Sequence, residues 1–139
     1  MKPRIYLTFD GQCSEAIELY KRAFKTDTLE LMLFDQMPAI PGYTLPEKYK
    51  TRVMQATLKF GNDFIRMSDC GYAPGFKLNE QETERISVSV EMGVDETKHA
   101  FAILSEEGRV GIPLAGTFYS PCAGVVFDKF GVMWNFSAV

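Results

Sequence analysis

One order of elements is legible twice in the sequence: strand, helix, three strands, and then the same five again. A chain that repeats a half-length unit folds as two like modules sharing one plan. In the first half, alternating apolar residues predict strands over 5–9 and 29–34 on either side of a helix over 14–24. Strands over 53–60 and 64–68 follow, joined by the tight-turn sequence Gly61-Asn62-Asp63. In the second half, strands over 86–90 and 110–114 flank a helix over 95–107, and strands over 122–127 and 132–137 close the chain. The tripeptide Lys59-Phe60-Gly61 recurs as Lys129-Phe130-Gly131, each copy at the turn before the last strand of its half. The 139 residues therefore read as a single domain of two modules, about 1–70 and 85–139, linked by 71–84.

Both helices are amphipathic. Ala16, Ile17, Tyr20, Ala23 and Phe24 share one face of the first, with Ser14 as the expected N-cap and Glu18 spaced to pair with Arg22. Ala100, Phe101, Ile103 and Leu104 form the buried side of the second, capped by Asp95 and stopped by Gly108. The segment 35–50, with Pro38, Pro41 and Pro46, reads as a long ordered loop: a lid, an interface arm or a plain surface connection.

Several function classes are excluded early. A net charge of −3 does not suit a phosphate-backbone binder, so no nucleic-acid partner is expected. No apolar run approaches the ~18 residues that would cross a bilayer, and the start carries no secretory pattern, so no membrane partner is expected and the cytoplasm is the expected compartment. Cys13, Cys70 and Cys122 form neither a disulfide framework nor a zinc-finger spacing. His99 is the single histidine, expected on the surface, so a multi-histidine metal site is impossible.

Strand parity separates an apolar from a polar face. Ile5, Leu7 and Phe9 oppose Arg4, Tyr6 and Thr8; Leu58 and Phe60 oppose Thr57 and Lys59; Ile65 and Met67 oppose Arg66 and Ser68. In the second half Ile86, Val88 and Val90 oppose Arg85, Ser87 and Ser89, and Val132, Trp134 and Phe136 oppose Met133, Asn135 and Ser137. Helices cover the apolar faces, with Trp134 expected in that core. The polar faces form a wet surface if the sheets are flat, and a ligand-sized concavity if they curl.

At the level of motifs, the chain resembles PhnB-like proteins. The resemblance rests on the run from Tyr6 through Leu7-Thr8-Phe9-Asp10-Gly11-Gln12-Cys13-Ser14-Glu15-Ala16 to Tyr20 and Phe24, on Met67-Ser68-Asp69, and on the closing Asp128-Lys129-Phe130-Gly131-Val132-Met133-Trp134-Asn135. These proteins, many also labelled 3-demethylubiquinone methyltransferase-like, are grouped in the vicinal oxygen chelate superfamily with glyoxalase I, extradiol dioxygenases and the bleomycin or fosfomycin resistance proteins. The resemblance implies an α+β glyoxalase-like fold: two βαβββ modules whose eight strands form a partly open mixed barrel with the helices outside. It also implies polar faces turned into a cavity, and a homodimer. The chain has no Gly-rich strand-to-helix turn to hold a methyl-donor nucleotide.

Active enzymes of that superfamily hold a divalent ion with His, Glu or Gln from the first and last strands of each module. The corresponding positions here are Arg4 or Tyr6, Arg66, Arg85 or Ser87, and Asn135. Guanidinium groups offer no lone pair, and two of them repel a cation by about 4 kcal/mol per contact at 4 Å in an effective dielectric near 20. The expected reading is a cavity without a metal or other cofactor that binds a small molecule, neutral or anionic, through Tyr6, Thr57, Arg66, Ser87 and Asn135, with Met54 and Met133 beside them. Arg66 either forks to an anionic ligand or pairs internally with Glu91 or Asp69. The competing reading is a divergent glyoxalase- or dioxygenase-like enzyme with displaced metal ligands.

Overall fold

A computed structural model describes residues 4–38, 42, 44–69 and 87–139. The expected β-strand 5–9 becomes β1 (Tyr6–Phe9), followed by α1 (Cys13–Phe24), β2 (Thr28–Leu33), β3 (Val53–Phe60) and β4 (Asp63–Asp69). The second series is β5 (Ser87–Met92), α2 (Val94–Ser105), β6 (Arg109–Ala115), β7 (Ala123–Phe127) and β8 (Met133–Ala138). The described chain divides into two compact units, one built on each sheet, with the last residues of α1, Arg22–Phe24, grouped with the second. The sheet orders β1-β4-β3-β2 and β5-β8-β7-β6 are the same order twice. In each, the first strand runs parallel to the last and the other pairs are antiparallel. The α+β class with two βαβββ modules is thus the observed architecture. The link 71–84, Cys70 and Arg85 lie outside the described residues.

The repeated tripeptide does not carry this duplication. Lys59 and Phe60 are the last two residues of β3, and Phe60 closes a tight hairpin opposite Asp63. Lys129 and Phe130 lie beyond the end of β7, inside a longer connection closed by Phe127 opposite Met133. The two copies are therefore not equivalent in register. What they share is a turn glycine with positive φ, +57° at Gly61 and +85° at Gly131, a backbone state without steric cost only for glycine.

In the first unit, the apolar face buries Ala56, Leu58, Ile65 and Met67, and α1 contributes Cys13, Ala16, Ile17 and Tyr20. Ser14 does not cap α1. The N-cap is Gln12, with no side-chain bond, and the Cys13 N–H instead donates to Asp69 Oδ1 at 2.9 Å. The other oxygen of Asp69 accepts from Val53 N–H, also at 2.9 Å. One buried carboxylate at the end of β4 thereby satisfies a free donor at the start of α1 and another at the start of β3. Glu18 lies 3.8 Å from Lys21 instead of pairing with Arg22. The 35–50 segment holds two single-turn 3-10 helices, Phe34–Gln36 and Glu47–Tyr49; residues 39–41 and 43 within it are outside the described set.

In the second unit, Trp134 and Phe136 are fully buried, with Phe24 4.9 Å from Trp134 between ring centres and Phe101 5.9 Å from Phe136. Helix α2 begins after Gly93, which makes no side-chain cap, so Asp95 sits in the first turn and not at the cap. Gly108 follows the helix where a Cβ would meet Phe127 O at 2.2 Å, so close backbone approach requires glycine there. His99 lies at the surface, half-buried, and its Nε2–H donates to Arg22 O at 3.1 Å.

The buried stripe of α2 is Thr97, Ala100, Phe101 and Leu104, at i, i+3, i+4 and i+7. Ile103 is only half-buried. The Thr97 hydroxyl is buried without a hydrogen-bond partner. Thr97→Val keeps the branched shape and removes that desolvated group. It is expected to stabilise the protein by about 1 kcal/mol, read as a higher urea midpoint at unchanged slope. A lower midpoint would mean that the hydroxyl has a partner after all.

Candidate functional site

Pairing in the first sheet gathers three of the five expected site residues into one row. Tyr6 stands opposite Arg66 across the parallel β1–β4 pair, and Arg66 stands opposite Thr57 across the antiparallel β4–β3 pair. The row continues to Glu30 on β2, opposite Thr57. Directly paired residues project from the same face, so these four side chains share the polar side of the sheet. The next row on this face includes Thr8 opposite Ser68.

Exposure varies along this face. Thr57 is 7% exposed and Ser68 9% exposed, although both sit on the face that α1 does not use. Both residues are largely buried, while the buried hydroxyl without a partner among the described residues is that of Thr97 on α2. Tyr6, at the strand margin, is half exposed. The face therefore combines two largely buried hydroxyl residues, Thr57 and Ser68, with accessible charged and phenolic groups around them.

Arg66 is accessible, and its guanidinium makes no ion pair with the described carboxylates of its unit. The internal pairing with Asp69 is overturned, because both Asp69 oxygens accept backbone N–H groups on the apolar side. The recorded side-chain contact of Arg66 is the Phe64 ring, 5.5 Å from Cζ to centroid, and Arg4 lies over the same ring at 4.2 Å. Arg4, Lys59, Phe64, Ser68 and Glu30 were not among the five residues drawn from the sequence, although strand parity alone placed Arg4, Lys59 and Ser68 on this face. Met54 is half-buried beside a register irregularity between β2 and β3, where alternation does not fix its side.

In the second sheet, Asn135 stands opposite Ser89 on β5 and Val125 on β7. Ser87 stands opposite Met133, which stands opposite Phe127, itself opposite Arg109. Ser87 and Asn135 therefore share a face but occupy successive rows, about 6.7 Å apart along the strands. The hydroxyl directly paired with Asn135 is that of Ser89. Arg109 stacks on Phe127 at 4.1 Å, so each sheet sets an arginine against a ring.

The donor set does not suit a divalent ion. At the strand positions where the superfamily's metal ligands would fall, the described residues are Arg4, Tyr6, Arg66, Ser87 and Asn135, which offer cations or weak neutral oxygens. Among the described residues, no group of three or more His, Cys, Asp or Glu side chains converges. The two described cysteines, Cys13 and Cys122, are buried, and burial, followed by the nearby Asp69 carboxylate, pushes the Cys13 thiol far above the ordinary thiol range. No helix among the described residues is long and apolar enough to cross a membrane.

No protein-family model matches the chain. The chain is 29% identical over 143 residues to Protein YjdN of Escherichia coli (strain K12), covering 96% of this chain and 92% of that protein. The crystal structure of protein PA1353 from Pseudomonas aeruginosa matches with a TM-score of 0.80 at 26% identity, covering 99% of this chain and 97% of the other. A PhnB protein from Bacillus cereus matches with a TM-score of 0.75 at 23% identity over 100% of both chains. The fosfomycin resistance protein FosX from Mesorhizobium loti gives 0.59 at 6% identity, over 99% of this chain and 90% of its own. The chain thus shares its fold, along its whole length, with a PhnB protein and with the fosfomycin resistance protein FosX.

Proposed function

We propose that this PhnB-like chain binds a small molecule against the polar faces of its sheets, without a divalent metal. The observation that supports the reading is the row Tyr6–Arg66–Thr57, which sets an exposed guanidinium with no ion pair among the described residues beside a largely buried threonine. On the first sheet Tyr6, Thr57 and Arg66 supply one row of contacts; on the second, taken by itself, Ser87 and Asn135 offer neutral hydrogen bonds. The protein acts in the cytoplasm in this reading, as a homodimer. Leu29 and Leu31 on edge strand β2, and Val110 and Ile112 on edge strand β6, are exposed aliphatic residues that a second copy would cover.

The test is a thermal-shift screen of small metabolites on the whole chain purified without chelator. A ligand at 100 times its Kd adds about 2.7 kcal/mol to stability, a shift of several degrees. Thr57→Val, which keeps shape and removes the hydroxyl, is expected to weaken the hit by about fivefold or more without lowering the unliganded midpoint. No stabilisation by any compound defeats the reading. Stoichiometric Ni, Zn, Mn or Fe in the purified protein favours instead a divergent glyoxalase- or dioxygenase-like enzyme. Light scattering at about twice the chain mass is expected for the assembly, with a fall to the single mass in the Leu31→Glu, Ile112→Glu double variant.

A further inference from the structure

We infer the charge class of the ligand: the polar face of the first sheet is built for a small dianion, either a phosphate monoester or a dicarboxylate. The inference rests on the binding role proposed above for that face. Three cations stand on it. Arg66 and Lys59 lie in neighbouring rows, Lys59 directly opposite Phe64, and Arg4 reaches the same ring from the chain just before β1. The carboxylate in these rows is Glu30, opposite Thr57. None of the four is in an ion pair with a described residue of the unit, so the described face keeps two positive charges in excess on a chain whose net charge is −3.

The geometry of the arginines sharpens the assignment. Both Cζ atoms lie within 6 Å of the Phe64 centroid, so the two guanidinium groups are about 10 Å apart at most. Stacking occupies the flat face of a guanidinium and leaves its N–H edge free. The ring thus restrains two forks whose in-plane donors have no acceptor among the described residues, the arrangement that suits the oxygens of a carboxylate or phosphate. A neutral ligand would leave this excess charge uncompensated, and a monoanion would balance half of it.

Calorimetric titration at constant ionic strength with methyl phosphate against dimethyl phosphate, and succinate against acetate, tests the inference. Constant salt matters because exposed charges are screened within about 10 Å at 0.1 M. At least one dianion is expected to bind tenfold or more tightly than its monoanionic counterpart. Preference for methyl phosphate identifies the phosphate source, and preference for succinate the dicarboxylate. Arg66→Gln and Arg4→Gln each weaken that binding about tenfold, Arg66→Lys by less, all with an unchanged thermal midpoint because neither arginine holds an ion pair. Two results overturn the inference: neither dianion exceeding its monoanion by tenfold, or Arg66→Gln binding as the parent does. If a neutral compound from the metabolite screen stabilises the protein while both dianions fail, the charge class falls and the binding reading stands. A screen empty throughout removes both.

Discussion

Asp128→Ala lowers the unfolding free energy by about 3–4 kcal/mol, seen as a urea midpoint reduced at constant slope. Asp128 is 4% exposed. Its Oδ1 accepts from Phe130 N–H at 2.9 Å and Val132 N–H at 3.0 Å, and its Oδ2 accepts from Trp134 Nε1–H at 2.9 Å. Truncation leaves three donors stranded, one of them on a fully buried ring. Each orphaned donor costs about 1–3 kcal/mol, and the two part-buried backbone groups fall at the low end because water can reach them. Asp128→Asn separates the contributions. Its carbonyl oxygen can keep the turn, but its NH2 then confronts the indole N–H, donor against donor, for a loss of about 2 kcal/mol. In the Trp134→Phe background the same Asn substitution should cost markedly less, giving a coupling energy of about 1 kcal/mol or more. Additive effects of the two substitutions would show that the indole bond is energetically idle.

This network changes how the closing motif is read. Asp128 through Asn135 carried the most specific part of the resemblance, and a motif that specific invites a functional explanation. The geometry gives a structural one. Asp128 organises the turn, Gly131 supplies its positive φ, and Trp134 anchors the strand. The residues of the motif that face the polar side are Met133 and Asn135.

How far the sequence could be read follows from the range of the forces involved. Parity and helical periodicity are local, and they gave the ten helices and strands with ends shifted by one or two residues. They also placed Tyr6, Thr57 and Arg66 on one face. What was not legible depended on contacts distant in sequence. Ser14 looked like the cap of α1 because capping is usually local, whereas the bond to Cys13 N–H comes from Asp69, 56 residues away. The tripeptide repeat looked like the mark of duplication, but the longer connection of the second hairpin moves Lys129 and Phe130 out of register with Lys59 and Phe60. Arg4 and Lys59 were visible by parity. Only the shared Phe64 ring and the missing counter-charges distinguish them from ordinary solvated residues.

Asp69→Ala is expected to cost about 3 kcal/mol, and its pattern of damage is the informative part. The substitution strands Cys13 N–H and Val53 N–H, both buried backbone donors with no water to replace the carboxylate. It also removes a negative charge from the first turn of α1, where the helix dipole makes that charge worth a further 0.3–1 kcal/mol. Asp69→Asn keeps one acceptor and should recover about half of the loss. The loss is not confined to one element, because the carboxylate joins the starts of α1 and β3 to the end of β4. Hydrogen exchange should therefore accelerate together at Cys13, at Val53 and at the β3–β4 pairing that aligns Thr57 with Arg66. Acceleration at Cys13 alone would reduce Asp69 to a helix cap with no part in holding the polar row. The Cys13 thiol supplies an independent control. Burial is the larger cause of its raised pKa and the Asp69 charge the smaller, so Asp69→Asn should leave native-state labelling by a thiol reagent slow. Rapid labelling would mean that the start of α1 has opened, and that this carboxylate supports the first sheet's polar row as well as the helix.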